Sequence, residues 1–195
     1  SGAAQRAGNL DDTFGVHGIA ILGVQAGSVA ALAVQADGSL VAAGTSENEQ
    51  GGTSMTVARF DAAGRLDPTF GGTGCVRLDV GGNERADCVA TSLAVQPDGR
   101  IVVAGAATTL PRGAFTGDDL VLVRLTSDGR FDQSFGAGGW LQLGLDMSSK
   151  ANAVLLEPDG HIVVCGSVRE RANGRWRVCV LRVASDGSLD NRFGS

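Results

Sequence analysis

The sequence predicts an all-β fold built from three repeated units, and three observations carry this prediction. A six-residue signature ending in Phe-Gly occurs four times along the 195 residues, so the four copies bracket three intervals. The 30 glycines are about twice the background of roughly 7% but follow no Gly-x-y period, which places them in turns. No segment shows a sustained helical period of apolar residues. The chain is therefore expected to consist of short strands joined by glycine turns.

Three signatures recur together and define the units. The first reads Leu-Asp-Asp-Thr-Phe-Gly at residues 10–15 and returns, with changes, at residues 66–71, 131–136 and 189–194. The second ends in Asp-Gly, and its aspartates are spaced 61 residues apart both times: Asp37, Asp98 and Asp159. The third is an arginine eleven residues before each later Phe: Arg59, Arg124 and Arg182. We interpret residues 1–195 as a single repeat domain with units of approximately 16–71, 72–136 and 137–194.

Each unit is predicted to contain four short strands. The first two are apolar runs on either side of the Asp-Gly turn, which is a strong hairpin signal; they cover residues 29–35 with 40–44, 89–96 with 101–105, and 151–157 with 162–166. The third strand flanks the repeated arginine, at residues 55–60, 120–125 and 176–183. The fourth follows the Phe-Gly turn, at residues 19–22, 75–78 and 140–143.

The pattern within the strands favours small sheets stacked face to face. Apolar residues run continuously through the first two strands of each unit, which is typical of sheets covered on both faces. The radially packed blades of a β-propeller are sheets of this kind. Together, the LDxTFG turn, the AVQxDGxxxxAG hairpin and the VxRFxxxGxLD strand resemble the bacterial delta-60 repeat over residues 10–194. The resemblance implies a β-propeller in an exported or cell-surface bacterial protein, and it implies no catalytic motif.

The number of units raises the question of how the ring closes. Propellers commonly have four to eight blades, whereas this chain has three units. It opens with a spare fourth strand at residues 19–22 and stops at Phe193-Gly194, where the last unit's fourth strand would begin. Strand 19–22 of one chain is therefore predicted to complete strand 176–183 of another, giving a six-bladed ring as a C2 homodimer. The alternatives are a partial arc of a longer propeller, whose open edges invite association, and a β-trefoil.

Charge and hydropathy exclude two classes of function. The 16 Lys and Arg residues against 21 Asp and Glu residues give a net charge of −5, which leaves no basic surplus for nucleic acid. No apolar stretch approaches the roughly 18 residues that a membrane span needs. The four cysteines lack zinc-site spacing. Cys165 and Cys179 lie on adjacent predicted strands and are candidates for a disulfide, with buried free thiols as the alternative.

The repeated charged residues predict structure rather than chemistry. The first-signature aspartates are expected to cap turns: Asp11, Asp67, Asp132 and Asp190. Each repeated arginine is expected to pair with the aspartate eight residues later: Arg59 with Asp67, Arg124 with Asp132, and Arg182 with Asp190. His17 and His161 lie in or beside turns, with no metal-site spacing and no acidic pair near either. No nucleophile elbow or phosphate-binding loop occurs, so no enzyme activity, cofactor or metal is expected.

The loops between the second and third strands vary most among the units, and loops on a rigid scaffold commonly carry recognition. The candidate partner-binding residues in these loops, or directly after the third, are Glu47, Glu49, Arg112, Phe115, Arg169, Arg171, Arg175, Trp176 and Arg177. The arginines around Trp176 suit an anionic glycan or an acidic partner. The predicted function is a noncatalytic scaffold that mediates protein–protein or assembly contacts. A carbohydrate-binding module is the alternative, and a lyase or hydrolase on the propeller rim is third.

Overall fold

The computed structural model describes residues 8–24, 26–80, 87–108, 117–145, 148–170 and 173–194. Across these ranges the chain forms eleven β-strands, and it contains no helix that could cross a membrane. The strands are β1 (Gly27–Val34), β2 (Leu40–Glu47), β3 (Thr53–Phe60), β4 (Cys75–Leu78), β5 (Cys88–Val95), β6 (Ile101–Thr108), β7 (Asp118–Leu125), β8 (Trp140–Leu143), β9 (Ser148–Leu156), β10 (Ile162–Arg169) and β11 (Trp176–Val183).

The strands form three antiparallel sheets, and the fourth strand of the first and second sheets comes from the beginning of the next predicted unit. The first sheet has the order β1-β2-β3-β4, the second β5-β6-β7-β8, and the third contains β9, β10 and β11 alone. The predicted fourth strands at residues 75–78 and 140–143 are confirmed. The one predicted at residues 19–22 forms no ladder in the described chain, because its edge meets no third strand there. Only isolated bridges connect Ile19 with Gly15 and Val16.

Glycines close the turn between the first two strands of every sheet. Gly38 has a φ of 83°, and its repeat equivalents Gly99 and Gly160 have φ values of 84° and 90°. The carboxylate of Asp37 accepts the backbone N–H of Ser39 at 2.9 Å, which completes the turn. The Asp-Gly signature is therefore a hairpin turn, as the sequence predicted, because glycine adopts positive φ without steric cost.

The core lies between neighbouring sheets. Met55 and Val57 of β3 share a buried cluster with Ala90 and Leu93 of the second sheet. One sheet further on, residues at the same repeat positions form the next cluster: Leu120 and Leu122 of β7 with Ala151 and Val154 of β9. Each sheet thus stacks face to face on the next, as the continuous apolar strands predicted.

Candidate functional site

The Phe-Gly turns of the first and second sheets each pack on the sheet that follows. Phe70 is fully buried, and its ring carbons lie 3.0 Å from the position that a Cβ on Gly129 would take. The N–H of Gly71 donates to the carbonyl of Asp128 at 2.8 Å. Phe135 and Gly136 make the same contacts with Asp186 and Gly187 of the third sheet. These turns fasten the outer edges of consecutive sheets to one another.

The predicted arginine–aspartate pairs are confirmed in all three sheets. Nε of Arg59 lies 2.8 Å from Asp67, and the corresponding distance from Arg124 to Asp132 is 2.7 Å. Nη2 of Arg182 lies 2.6 Å from Asp190. The other carboxylate oxygen of each aspartate accepts a backbone N–H two residues later, so the repeated aspartates cap turns as predicted.

These arginines also join one sheet to the next. Nη1 of Arg59 donates to the carbonyl of Ser127 in the second sheet, and Nη1 of Arg124 donates to that of Ser185 in the third. Burial would by itself raise the pKa of Asp132, but the hydroxyl and amide of Ser134 and the Arg124 guanidinium outweigh it, so this pKa lies below its ordinary value. The arginine and carboxylate groups are thus structural connections between sheets.

The first sheet leaves much of one apolar face exposed, because no other sheet of the described chain packs against it. Leu32 is 61% exposed and Val29 is 67% exposed on this face. Their repeat equivalents in the second sheet, Leu93 and Ala90, are 9% and 2% exposed, since the first sheet covers them. We call the uncovered side of the first sheet the leading face.

The third sheet leaves its opposite side uncovered among the described residues, because no described sheet packs against it there. Val178 and Val180 of β11 are 86% and 49% exposed. The equivalent residues of the second sheet, Leu120 and Leu122, are 1% and 0% exposed. Cys165 pairs with Val180 across β10 and β11 and is also exposed. We call this side the trailing face.

Residues 10–22 cover part of the leading face. The ring of Phe14 lies 2.9 Å from the Cβ position of Gly64, and the N–H of Gly15 donates to the carbonyl of Ala63 at 2.7 Å. These are the contacts that Phe70 and Gly71 make with the second sheet. An apolar groove of about 400 Å³ remains between residues 20–24 and strands β1 and β2. The amino-terminal segment therefore lies where the outer edge of a preceding sheet would lie.

The predicted partner-binding residues are only partly loop residues. Arg112, Phe115 and Arg171 fall outside the described part of the chain. Glu49 lies in the turn after β2. Arg175 lies outside the strands as well. The loop assignments of Glu47 and Arg169 are wrong, because the hairpins stay paired further than the sequence indicated: Glu47 pairs with Thr53, and Arg169 pairs with Trp176. Trp176 and Arg177 lie in β11, within the strand predicted at residues 176–183.

The basic cluster on the last hairpin is partly neutralised. Nε of Arg177 forms an ion pair with Glu170. Arg169 donates to the carbonyl of Gly174 at 3.2 Å, and Lys150 lies 5.7 Å from the ring centroid of the half-exposed Trp176. Arg175 is exposed at the tip. The charge available to an anionic ligand is therefore lower than the sequence predicted.

The predicted disulfide between Cys165 and Cys179 is wrong. Cys165 pairs with Val180, whereas Cys179 pairs with Gly166, so the two thiols lie on opposite faces of the hairpin. All four cysteines are free. The alternative of two buried thiols also fails, because Cys165 is exposed and Cys179 is half-buried. Burial raises the pKa of Cys179.

His161 has acidic neighbours that the sequence pattern alone did not indicate. Ligand atoms of Glu157, Asp159 and His161 lie within 4.8 Å of one another. Nδ1 of His161 is 3.0 Å from Asp159, and Glu157 is 3.6 Å from the Arg182 guanidinium. The available signal in the sequence was the spacing, because Asp159 and Glu157 lie two and four residues before the histidine. Within this group, Glu157 pairs with Arg182 and the Asp159 carboxylate contacts the His161 ring.

Four-stranded meanders stacked face to face and fastened at their outer turns are the blades of a β-propeller. The first two sheets are therefore complete propeller blades, the third has three strands of a blade in the described chain, and the β-trefoil alternative is wrong. The chain belongs to the family described as "domain of unknown function (DUF5122) beta-propeller", whose profile matches residues 35–70, 96–135 and 157–193. Each match runs from the Asp-Gly turn to the Phe-Gly signature. No curated protein matches the chain.

Proposed function

We propose that this chain is a noncatalytic β-propeller scaffold that assembles with other protein through its leading and trailing faces. The observation that carries the proposal is the contrast in exposure at equivalent repeat positions. Val178 is 86% exposed, whereas Leu120 at the same position of the middle blade is 1% exposed. Contiguous apolar surface of this kind marks sites of protein association. Placement in an exported or cell-surface bacterial protein rests on the delta-60 resemblance.

The two faces fit each other by the same contacts that the chain makes twice internally. The leading face consists of the repeat positions at which the second and third blades contact the blade before them. The trailing face consists of the repeat positions at which the first and second blades contact the blade after them. A partner built of similar propeller blades can therefore pack on either face through the same contacts that join the blades within this chain.

The charged groups support a structural role. The carboxyls of Asp67 and Asp190 have pKa values below their ordinary range, and turn amides and hydroxyls are the leading causes. Their arginine partners contribute to the same shift. Carboxylates that accept hydrogen bonds within their own turn stabilise the fold, and they are poor candidates for proton transfer.

The test is the solution mass of the chain by light scattering over a range of concentrations. We expect a mass above the 19.8 kDa of one chain that rises with concentration. Val178→Asp places a charge on the trailing face and should return the mass to 19.8 kDa. Val89→Asp is the matched control, because Val89 is 40% exposed on the middle blade.

A second readout is the reaction of Cys165 with a thiol reagent. Cys165 lies on the trailing face beside Val180, so association should slow its labelling as the protein concentration rises. The proposal is overturned by a chain of 19.8 kDa at every concentration whose Cys165 labels at a constant rate. It is equally overturned by a Val178→Asp variant that associates as strongly as the parent.

A further inference from the structure

The geometry points to a specific assembly: residues 19–22 of one copy form the fourth strand of the third blade of a second copy, beside β11. This inference rests on the proposed function and names its partner as another copy of the chain. Two chains of three blades then form one ring of six, within the range of closed propellers. Each copy donates one strand and accepts one strand, as a C2 assembly requires.

The side chains of residues 19–22 already alternate as those of a fourth strand do. Ala20 and Leu22 pack against the buried cluster of the first blade. Val76 and Leu78 of β4 pack in the same way against the cluster shared with the second blade. Ile21 points the other way and is 82% exposed. The segment therefore has the orientation of an outer strand, but it pairs with no sheet of the described chain.

The two complete blades fix the register of the missing pair. Val57 pairs with Val76 between β3 and β4, and Leu122 pairs with Leu141 between β7 and β8. In both cases the fourth-strand residue lies six positions after the Phe of the Phe-Gly turn. The same spacing from Phe14 places Ala20 opposite Val180 and Ile21 opposite Cys179 of the second copy.

The donated segment also brings the turn signature that the third blade already uses. Asp11 and Phe14 match Asp190 and Phe193, and Phe14 is already seated on the first blade. Residues 189–194 of the accepting copy therefore give up their place to residues 10–15 of the donor. The two segments offer the blade the same chemistry, since Asp11 replaces Asp190 beside Arg182. Exchange of an equivalent element between copies is the low-cost route by which domain swapping forms dimers.

The register is tested by an Ile21→Cys substitution in the full chain. Cys165→Ser is included in every variant, so that the exposed thiol of Cys165 cannot cross-link. Under mild oxidation we expect a disulfide dimer of twice 19.8 kDa that links position 21 to Cys179. The matched controls are Ala20→Cys, which points to the opposite face, and Ile21→Cys with Cys179→Ser. Neither control should form the dimer.

The outcomes separate this inference from the proposed function. A chain that associates by light scattering but yields no more dimer from Ile21→Cys than from Ala20→Cys keeps the assembly function and overturns strand donation. A disulfide between position 21 and Cys179 within one chain also overturns it. A chain that remains at 19.8 kDa at all concentrations overturns both.

A second variant tests the exchange of signatures. Asp190→Ala weakens the hold of the resident segment on Arg182 and leaves Asp11 intact. We expect the dissociation constant of the dimer to fall about four- to twenty-fivefold, because each of its two exchange sites contributes a factor of about two to five, the size of one weak ion pair. Asp67→Ala makes the same change inside a complete blade and should leave the dissociation constant unchanged. An unchanged or higher value for Asp190→Ala contradicts the exchange.

Discussion

Replacing Arg124 by Met removes a buried guanidinium that ties the second blade to the third. The Arg124 side chain is 5% exposed, its Nε lies 2.7 Å from Asp132, and its Nη1 donates to the carbonyl of Ser185 on the next blade. Arg182 holds the same repeat position and pairs with Asp190, but its side chain is 28% exposed and the described chain offers it no following blade. Arg182→Met is therefore the matched control.

The expected loss of stability follows from these contacts. Met keeps the apolar stem of Arg124 but leaves the Asp132 carboxylate without its main partner. Removing one member of a buried ion pair costs about 3–5 kcal/mol. Nε of Arg100 remains 2.9 Å from Asp132 and compensates in part. We therefore expect the free energy of unfolding to fall by about 3 kcal/mol for Arg124→Met, and by clearly less for Arg182→Met, where water replaces the lost contact.

The measurement is urea unfolding of the three proteins at a concentration that keeps them monomeric. The midpoint should shift strongly for Arg124→Met at an unchanged slope, which identifies a loss of stability rather than a change in the unfolded state. Equal shifts for the two variants would refute the reasoning, because they would mean that the contact between blades adds nothing. A loss below about 1 kcal/mol for Arg124→Met would refute the burial argument.

Two further predictions concern a glycine seat and the turn aspartates. Gly129→Ala puts a Cβ 3.0 Å from the Phe70 ring at a φ of 86°, whereas Gly51→Ala has a similar φ of 77° but meets open space. The melting temperature should therefore fall further for Gly129→Ala than for Gly51→Ala. Equal falls would contradict the packing argument. The lowered pKa values of Asp67 and Asp132 stabilise the fold above the unfolded-state pKa of about 3.9. The free energy of unfolding should decline below about pH 4, less steeply in Asp67→Asn; a flat profile contradicts this.

Local chemistry explains why so much of the fold could be predicted. An Asp-Gly turn needs only its own backbone, and an arginine eight residues before an aspartate meets it inside one blade. The Arg124–Asp132 pair, the turn at Gly38 and the strand Cys75–Leu78 therefore follow from the residues that form them. Repetition strengthened each inference, because the same contact had to be satisfied three times.

The candidate site could be predicted less well, because it depends on pairing between distant residues. The sequence placed Cys165 and Cys179 on neighbouring strands, but the register set them on opposite faces. It assigned Glu47 and Arg169 to loops, although their hairpins continue pairing beyond the apolar run. It treated His161 as isolated, whereas the turn folds Glu157 back beside it.

The sequence by itself determined that three blades of one design follow one another, because their turns, hairpins and ion pairs are local. It could not determine which apolar residues remain exposed. Leu32 and Leu93 occupy the same repeat position, yet one is 61% exposed and the other 9%. The difference arises only when sheets stack, because a residue is buried only where a neighbouring sheet covers it, whatever its own side chain.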